Sequence, residues 1–308
     1  MTNDRQPEVA FTVRNPLPWS HFSGLVRAGE SLGYAGLFLP ETDGRDTFAA
    51  LTGLAGETHA IRLGTGIVPM TSRTPFATAM AAATVQERSG GRAVLGIGTG
   101  AAVPGALERL REQVGAIRRL LAGEPVELDG RTFAVSLELD EPPPVWISAL
   151  GDRAVRLAGE IADGVILNWC TPERVAAAHE LVREAAGAAG RDPGAVTVAV
   201  YVRGSLDEDR EGARSAMAAF STQYARYPAY ARQFRAMGLG GEAERAAGGD
   251  GSALASAVCL PGDEEQARVR LQAYREAGAD LPVVYPVAGG ASAPASLLAT
   301  IRALAPGA

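Results

Sequence analysis

Short apolar runs alternate along this chain with longer segments in which apolar residues recur every three or four positions. The short runs are typical of buried strands, and the longer spacing is typical of amphipathic helices. Strands that alternate regularly with helices form parallel sheets, because each helix returns the chain to the start of the next strand. The predicted strands are residues 9–13, 36–39, 61–68, 93–97, 145–148, 164–168, 196–202 and 282–287.

Eight strands, each followed by a helical segment, match a closed (β/α)8 (TIM) barrel of the α/β class better than an open sheet. Barrels of this length commonly form one domain, and we therefore predict a single domain over residues 1–308. An Asp-Gly pair at 129–130, between two short apolar pieces, predicts a hairpin over residues 126–135. The predicted helices are residues 20–32, 47–59, 75–89, 104–121, 152 onwards and 263–277.

One stretch departs from this rhythm, because about 80 residues separate strands seven and eight where a barrel needs roughly 25. We predict a helical insertion over about residues 205–258, with one or two helices in 207–237 and a looser, glycine-rich segment in 238–251. Aromatic side chains at helical spacing in this insertion indicate ordinary packing. A lid is the alternative, because an insertion after a barrel strand overhangs the catalytic face. These side chains are Tyr224, Tyr227, Tyr230 and Phe234.

The charge balance narrows the classes of partner. The chain has 29 basic and 35 acidic residues, a formal net charge of −6, which disfavours nucleic acid and anionic membranes. All basic residues are arginine, so Schiff-base chemistry and a P-loop lysine are excluded. No apolar run reaches the roughly 18 residues of a membrane span, and the polar first residues lack the apolar core of a signal peptide. We expect a cytoplasmic protein with a small-molecule partner.

Metal and nucleophilic chemistry have little support in the sequence. Cys170 and Cys259 lie far apart in the chain. His21, His59 and His179 fall in predicted helices and lack the spacing of metal ligands. We predict no metal site and no classical nucleophilic triad.

Candidate site residues follow the predicted strands, since barrel enzymes build their active sites from loops at the C-terminal ends of the strands. Glycines 64 and 66 weaken strand three unless the backbone bulges or approaches a ligand, with barrel curvature as the alternative. Gly151, where strand five meets a helix, leaves N–H groups for an anion or forms a structural turn. The glycines of strand four do not form a full dinucleotide motif. The candidates include Arg14, Asn15, Glu41, Thr42, Thr99, Asn168, Trp169, Cys170 and Tyr285.

Several motifs occur together in the order of one family. Strand three reads Ile61-Arg-Leu-Gly-Thr-Gly-Ile-Val-Pro, Arg73-Thr-Pro opens the next helix, and Ser89-Gly-Gly-Arg-Ala-Val-Leu-Gly-Ile-Gly-Thr-Gly follows it. Leu157-Ala-Gly-Glu-Ile-Ala-Asp-Gly and Tyr274-Arg-Glu-Ala-Gly-Ala-Asp complete the set. Over about residues 9–304 the chain resembles the luciferase-like monooxygenase class and, within it, the branch that uses coenzyme F420.

The resemblance implies a deazaflavin that rests against a bulge in strand three, often with a non-prolyl cis peptide, which by position is Gly66–Ile67. Its phosphate tail would lie at the turn after strand five. The cofactor contacts so implied are Thr65, Gly66, Ile67, Val68, Thr99, Ser148, Ala149, Leu150, Gly151 and Arg153. The substrate pocket would include Asn15, Asn168 and Trp169.

The chain also departs from its relatives. Members of the class that use sugar phosphates carry Asp-His after strand two, where this chain has Glu41 and Thr42. Their acid after strand four is absent from residues 101–104, and no basic residue follows strand six, so a sugar phosphate is disfavoured. We predict Glu41 as the proton donor, with Thr42 orienting water or a substrate carbonyl. Tyr285 is the alternative donor, and a charge at a helix N-terminus is the alternative role for Glu41.

These observations predict an F420-dependent oxidoreductase. Its reaction would reduce an activated C=C, C=N or C=O bond, or oxidise an alcohol. An FMNH2-dependent monooxygenase, with FMN as cofactor, shares the fold and motifs and is the first alternative. A non-catalytic flavin-binding homologue that has lost its proton-transfer residues is the second. A homodimer is usual for the class and is expected here.

Overall fold

A computed structural model of the chain describes residues 8–14, 16–100, 103–290 and 292–306. Strands and helices alternate in this part of the chain as the sequence predicts. The strands are β1 (Ala10–Phe11), β2 (Gly36–Leu39), β3 (Arg62–Thr65), β4 (Val68–Pro69), β5 (Ala93–Gly98), β6 (Val126–Leu128), β7 (Arg131–Phe133), β8 (Val145–Ala149), β9 (Gly164–Asn168), β10 (Thr197–Gly204) and β11 (Leu281–Pro286). The helices are α1 (Trp19–Ser31), α2 (Thr47–Ala55), α3 (Pro75–Ser89), α4 (Ala106–Leu121), α5 (Asp152–Ile161), α6 (Pro172–Ala188), α7 (Arg210–Ala225), α8 (Pro228–Ala236), α9 (Gly240–Ala247), α10 (Ser252–Val258), α11 (Glu264–Glu276) and α12 (Ala293–Ala303).

The predicted (β/α)8 barrel fold is confirmed. β3 and β4 are two pieces of the third predicted strand, so the nine strands of the main sheet correspond to eight barrel strands. The hairpin is also confirmed, because β6 and β7 pair antiparallel in a separate two-stranded sheet. Strands β2, β5 and β11 are buried at every position, as expected for parallel strands covered on both faces.

By its internal contacts the chain divides into two compact units. The first contains the described residues up to Ala35, residues 167–180 and the described residues from Val198 onwards; in it β1 and β10 both pair in parallel with β11. The second contains residues 36–166 and 181–197; in it β3 pairs with β2 and β5, and β5 pairs with β4 and β8. The single domain inferred from the sequence stays a prediction.

Two aromatic rings of the second unit pack against glycines. A Cβ atom added at Gly64 would lie 2.5 Å from the ring of Phe38. Phe38 stacks on Trp146 with 5.2 Å between ring centroids, and a Cβ at Gly164 would lie 2.6 Å from the indole of Trp146. Burying a phenylalanine side chain is worth roughly 1.5–3 kcal/mol, so the space left by the two glycines stabilises this core. Gly64 therefore has a packing role in strand three.

Local signals account for several helix ends. Thr74 accepts a hydrogen bond from the Ala77 N–H at the start of α3, and Pro75 occupies the first helical position. Gly90 ends the helix with φ at 64°, a conformation that favours glycine. The predicted end of the second helix was wrong: α2 stops at Ala55, so His59 is not helical.

The insertion between β10 and β11 is more helical than predicted. Residues 238–251 contain α9, although their glycines indicated a looser segment. Ala243 and Ala246 are buried in a hydrophobic cluster with Trp169 and Phe234, and this packing outweighs the low helix propensity of glycine. The predicted packing role of the aromatic stripe is confirmed for Tyr224, Tyr230 and Phe234, which all pack in or against this cluster. Tyr227, in contrast, is exposed.

Candidate functional site

The third barrel strand is interrupted at Gly66 and Ile67, where the peptide bond is cis. The N–H of Gly66 donates to the carbonyl of Leu39 at 2.7 Å, and the carbonyl of Ile67 accepts from the N–H of Glu41 at 3.0 Å. The interruption and the non-prolyl cis bond predicted from the sequence are both confirmed. The loop after β2 and the interrupted strand are thus joined by backbone hydrogen bonds.

Beside this bulge, partly exposed side chains lie over a glycine of β5. A Cβ added at Gly98 would meet the Ser148 hydroxyl at 2.3 Å and the Ile67 side chain at 3.0 Å. Ile67, Thr99 and Ser148 are each partly exposed, whereas Gly66 and Val68 are buried. These partly exposed groups form a surface against which a planar ring could rest, and we name Ile67, Gly98, Thr99 and Ser148 the bulge surface.

Thr65, which the resemblance implied as a cofactor contact, uses its side-chain hydroxyl between β3 and β5. Its hydroxyl donates to the carbonyl of Gly96 at 2.7 Å and accepts from the N–H of the same residue at 2.8 Å. The side chain is 1% exposed, and its hydrogen-bonding capacity is used to hold β3 against β5. Its contribution to a ligand site is therefore to fix the strand next to the bulge surface.

Glu41 is engaged by several donors. Nε and a terminal nitrogen of Arg73 bind its two carboxylate oxygens at 3.0 and 3.2 Å. The N–H of Thr47 donates to Oε2 at 3.4 Å. The Ser72 hydroxyl lies 3.2 Å from Oε1, but its one proton is also within reach of the Pro69 carbonyl, at the shorter distance of 2.8 Å. Arg73 also binds Asp46, whose pKa is lowered by the N–H of Ala49 and by Arg73 against the opposing effect of its partial burial. A carboxylate that accepts from two nitrogens of Arg73 and from a backbone N–H is arranged to hold a loop, and the neighbouring Thr42 is exposed.

The turn after β8 leads directly into the N-terminus of α5. Gly151 precedes the helix, no side chain caps it, and an added Cβ would meet no atom within 4 Å. Ala149 is buried and Leu150 is half-buried. An uncapped helix N-terminus with open space beside it suits a phosphate group. Arg153 points to solvent, 82% exposed, and pairs with Glu108.

The predicted substrate residues of the first unit lie in a buried aromatic cluster. Trp169 is 1% exposed, with φ at 54°, and contacts the rings of Phe220, Tyr224 and Phe234. The amide of Asn168 donates to the Tyr230 hydroxyl at 2.9 Å. Asn15 lies outside the described residues.

Sequence reasoning missed Arg203, near the end of β10. Its guanidinium carbon lies 4.1 Å from the ring centroid of Trp169 and 4.7 Å from that of Tyr285. Phe220 and Tyr224 lie slightly farther away, at 5.6 and 5.2 Å. We call Arg203 and these four rings the Arg203 cluster. The signal in the sequence was the arginine that directly follows the apolar run Val196–Val202. A buried strand rarely carries a charged side chain that has no function.

Tyr285 is paired with Arg203 in the register of β11 and β10. Burial raises the pKa of its phenol to about 12, and the charges of Arg203 and Arg14 oppose that rise. The phenol therefore carries its proton at neutral pH. Burial also raises the pKa of the Cys170 thiol to about 12, so this cysteine has no thiolate character.

The chain belongs to the luciferase-like monooxygenase family, whose model matches residues 5–281. A 5,10-methylenetetrahydromethanopterin reductase from Methanolobus tindarius is 33% identical over 68% of this chain and 68% of its own length. The coenzyme F420-dependent tetrahydromethanopterin reductase from Methanopyrus kandleri superposes with a TM-score of 0.78 at 22% identity, over 96% of this chain and 98% of that one. An F420-dependent secondary alcohol dehydrogenase in complex with an F420-acetone adduct gives 0.79 at 16% identity, over 97% and 99%. The two structural likenesses establish the fold.

The part of the chain that the structure describes contains no helix with both the length and the hydropathy of a membrane span. Within the same residues, no three or more His, Cys, Asp or Glu side chains are grouped so that they could hold a metal ion.

Proposed function

We propose that this protein is an F420-dependent oxidoreductase that reduces an activated double bond of a small organic molecule or oxidises an alcohol. The uncapped N-terminus of α5 beside the bulge surface is the observation that carries the proposal. It combines a phosphate site with a surface for a planar ring in one compact unit. Support comes from the family and from its F420-dependent relatives.

The residues of the second unit fit such a cofactor. Ile67, Thr99 and Ser148 would contact the ring, and the backbone of Ala149, Leu150 and Gly151 would hold the phosphate. Gly66, Val68 and Thr65 would set the course of the strand, while Arg153 would act only at the edge of the phosphate. When bound, the deazaflavin supplies or accepts the hydride.

The protein's own contribution is a proton. The sequence favoured Glu41 as the donor, but its carboxylate oxygens accept hydrogen bonds from two nitrogens of Arg73 and from the N–H of Thr47. Tyr285 carries its proton at neutral pH, because burial raises the pKa of its phenol to about 12. The guanidinium of Arg203 beside it opposes part of that rise and so lowers the cost of the phenolate left after transfer. We therefore place the proton donor at Tyr285, with Glu41 positioning the loop that holds the bulge.

The assembly is part of the same proposal. A homodimeric, cytoplasmic enzyme with one domain in each chain is expected from the resemblance to the class. Sedimentation equilibrium of the purified protein measures the oligomeric state directly.

The cofactor preference is the first test. Equilibrium titration of the purified protein with F420 and, separately, with FMN should give a dissociation constant for F420 at least tenfold below that for FMN. Equal affinities, or preference for FMN with consumption of oxygen, would identify a flavin monooxygenase. Failure to bind either cofactor would also contradict the proposal.

The position of the phosphate is tested by Gly151→Leu. Its side chain enters open space, so the fold should keep its melting temperature while the affinity for F420 falls at least tenfold, because the new side chain blocks the helix N-terminus. Gly115→Leu is the matched control, since Gly115 on α4 also has no atom within 4 Å of an added Cβ. Unchanged F420 affinity in Gly151→Leu would place the phosphate elsewhere.

A further inference from the structure

Arg203 is a buried cation without an acidic partner in the described part of the chain. Its side chain is 2% exposed, and no ion pair joins it to a described carboxylate. Four aromatic rings surround the guanidinium at 4.1 to 5.6 Å. Such contacts offset part of the cost of burying a charge, but they supply no counter-charge.

Among the largest charges that act on buried groups beside the cluster, none is a negative counter-charge for Arg203. The charges that act on Tyr285 include those of Arg14 and Arg203. Those that act on the buried thiols of Cys170 and Cys259 come from Arg174, Arg203 and Arg270. The largest charges acting on these three described groups are those of arginines, and one of these arginines, Arg270, also interacts with the carboxylate of Glu173.

Three buried donors in the cluster also lack an acceptor among the described residues. They are Nε of Arg203, Nε1 of Trp169 and the Tyr285 hydroxyl. The first two are neighbours, because the Trp169 ring lies against the guanidinium. Each unmade hydrogen bond of a buried donor costs stability, and a ligand oxygen would restore it. A carboxylate offers two oxygens and one negative charge, which matches two neighbouring donors and one cation.

We propose that Arg203 binds the carboxylate of the substrate, with the indole N–H of Trp169 donating to its second oxygen, so that the enzyme selects small organic acids. This assignment deepens the function proposed above and rests on it for the reaction, although not for the binding itself. Tyr285, next to Arg203 in the strand register, would then lie near the bound acid. A phosphate, with two charges, would exceed the single positive charge of Arg203.

Binding of three probes to the purified protein, without cofactor, tests the assignment. Benzoate carries the carboxylate, benzamide is its neutral analogue, and inorganic phosphate is the competing anion. Calorimetry at constant ionic strength should give benzoate at least tenfold tighter than benzamide or phosphate, since a charge-assisted hydrogen bond is worth about tenfold or more. Benzoate should also change tryptophan fluorescence, because Trp169 lies against Arg203.

The Arg203→Met variant should bind benzoate at least tenfold more weakly and benzamide with unchanged affinity. Arg203→Lys keeps the positive charge but lacks the planar guanidinium, so it should bind benzoate with an intermediate affinity. This variant replaces Arg203→Met as the test if the methionine variant does not fold. Arg214→Met is the control, because Arg214 is 70% exposed on α7. The affinity for F420, measured in parallel, should be the same in every variant. If the parent protein does not bind F420, that result contradicts the proposed function but not the assignment of the carboxylate to Arg203. The assignment would be overturned if benzoate did not bind, if it bound no more tightly than benzamide, or if phosphate bound more tightly than benzoate. It would also be overturned if neither Arg203 variant changed the affinity for benzoate.

Discussion

Replacing Tyr285 by phenylalanine should lower turnover by about 10²–10⁴-fold, because it removes the group that we place as the proton donor. The change deletes one hydroxyl and keeps the ring, so the contacts of Tyr285 with Tyr201 and Phe220 persist. F420 affinity should stay within a few-fold. Turnover and cofactor binding measured on the same preparation separate the loss of chemistry from a loss of binding.

Two companion variants decide between the candidate donors. Tyr201→Phe removes a phenol from the neighbouring β10 and should keep turnover within a few-fold. Glu41→Gln can still accept from Arg73 and should also stay within a few-fold. If Glu41→Gln loses 10²–10⁴-fold while Tyr285→Phe is nearly unaffected, the donor is Glu41, as the sequence first indicated.

The pH profile gives an independent check on Tyr285. Its pKa of about 12 lies above that of an ordinary tyrosine, because burial disfavours the phenolate. The phenol is protonated below that value and loses its proton only as the pH rises through it. Turnover should therefore show no alkaline loss attributable to this residue until the pH approaches 12. A loss with an apparent pKa near neutrality that disappears in Tyr285→Phe would contradict the assignment.

The second large effect is expected for Gly96→Ala in β5. The added Cβ would lie 2.2 Å from the carbonyl oxygen of Thr65, a backbone atom that cannot rotate away, and 3.0 Å from Ile166. Thr65 and Gly96 also exchange two hydrogen bonds through the threonine hydroxyl, and these would be disturbed. Overpacking of this kind costs about 1–3 kcal/mol, and the rigid neighbour places the loss at the upper end of that range.

Urea unfolding followed by circular dichroism measures the loss. Gly115→Ala is the matched control, because the same methyl group enters open space on the exposed face of α4. It should raise the free energy of unfolding by about 0.5–1 kcal/mol, since alanine is the better helix former. Equal unfolding midpoints for Gly96→Ala and the parent protein would show that β3 and β5 can move apart.

The sequence predicted the parts of the fold that depend on local signals. α3 began at Pro75 as expected, because capping by Thr74 and the fixed φ of proline act within one turn. α9 was missed, since its glycines oppose a helix locally while the burial of Ala243 and Ala246 stabilises it through distant contacts. Boundaries set by tertiary packing are not encoded in a short window of residues.

The candidate site also contains features that the local sequence predicts and features that depend on distant contacts. The interruption at Gly66–Ile67 was predicted from paired glycines and family motifs, and it is present. The partnership of Glu41 with Arg73, 32 positions apart, depends on how two loops meet and has no spacing of its own. Arg203 was overlooked because its importance lies in the rings around it, and two of them, Phe220 and Tyr224, belong to the insertion.

The contacts of Gly64, Phe38, Trp146 and Gly164 constrain how the sequence can diverge. A methyl group at position 64 fits only if the ring at position 38 becomes smaller, and position 164 depends in the same way on position 146. Neutral drift at these four sites therefore proceeds by compensated pairs, with single intermediates that fold poorly. Homologues should show correlated residue sizes at these positions, and an engineer who enlarges either glycine must reduce its partner in the same step.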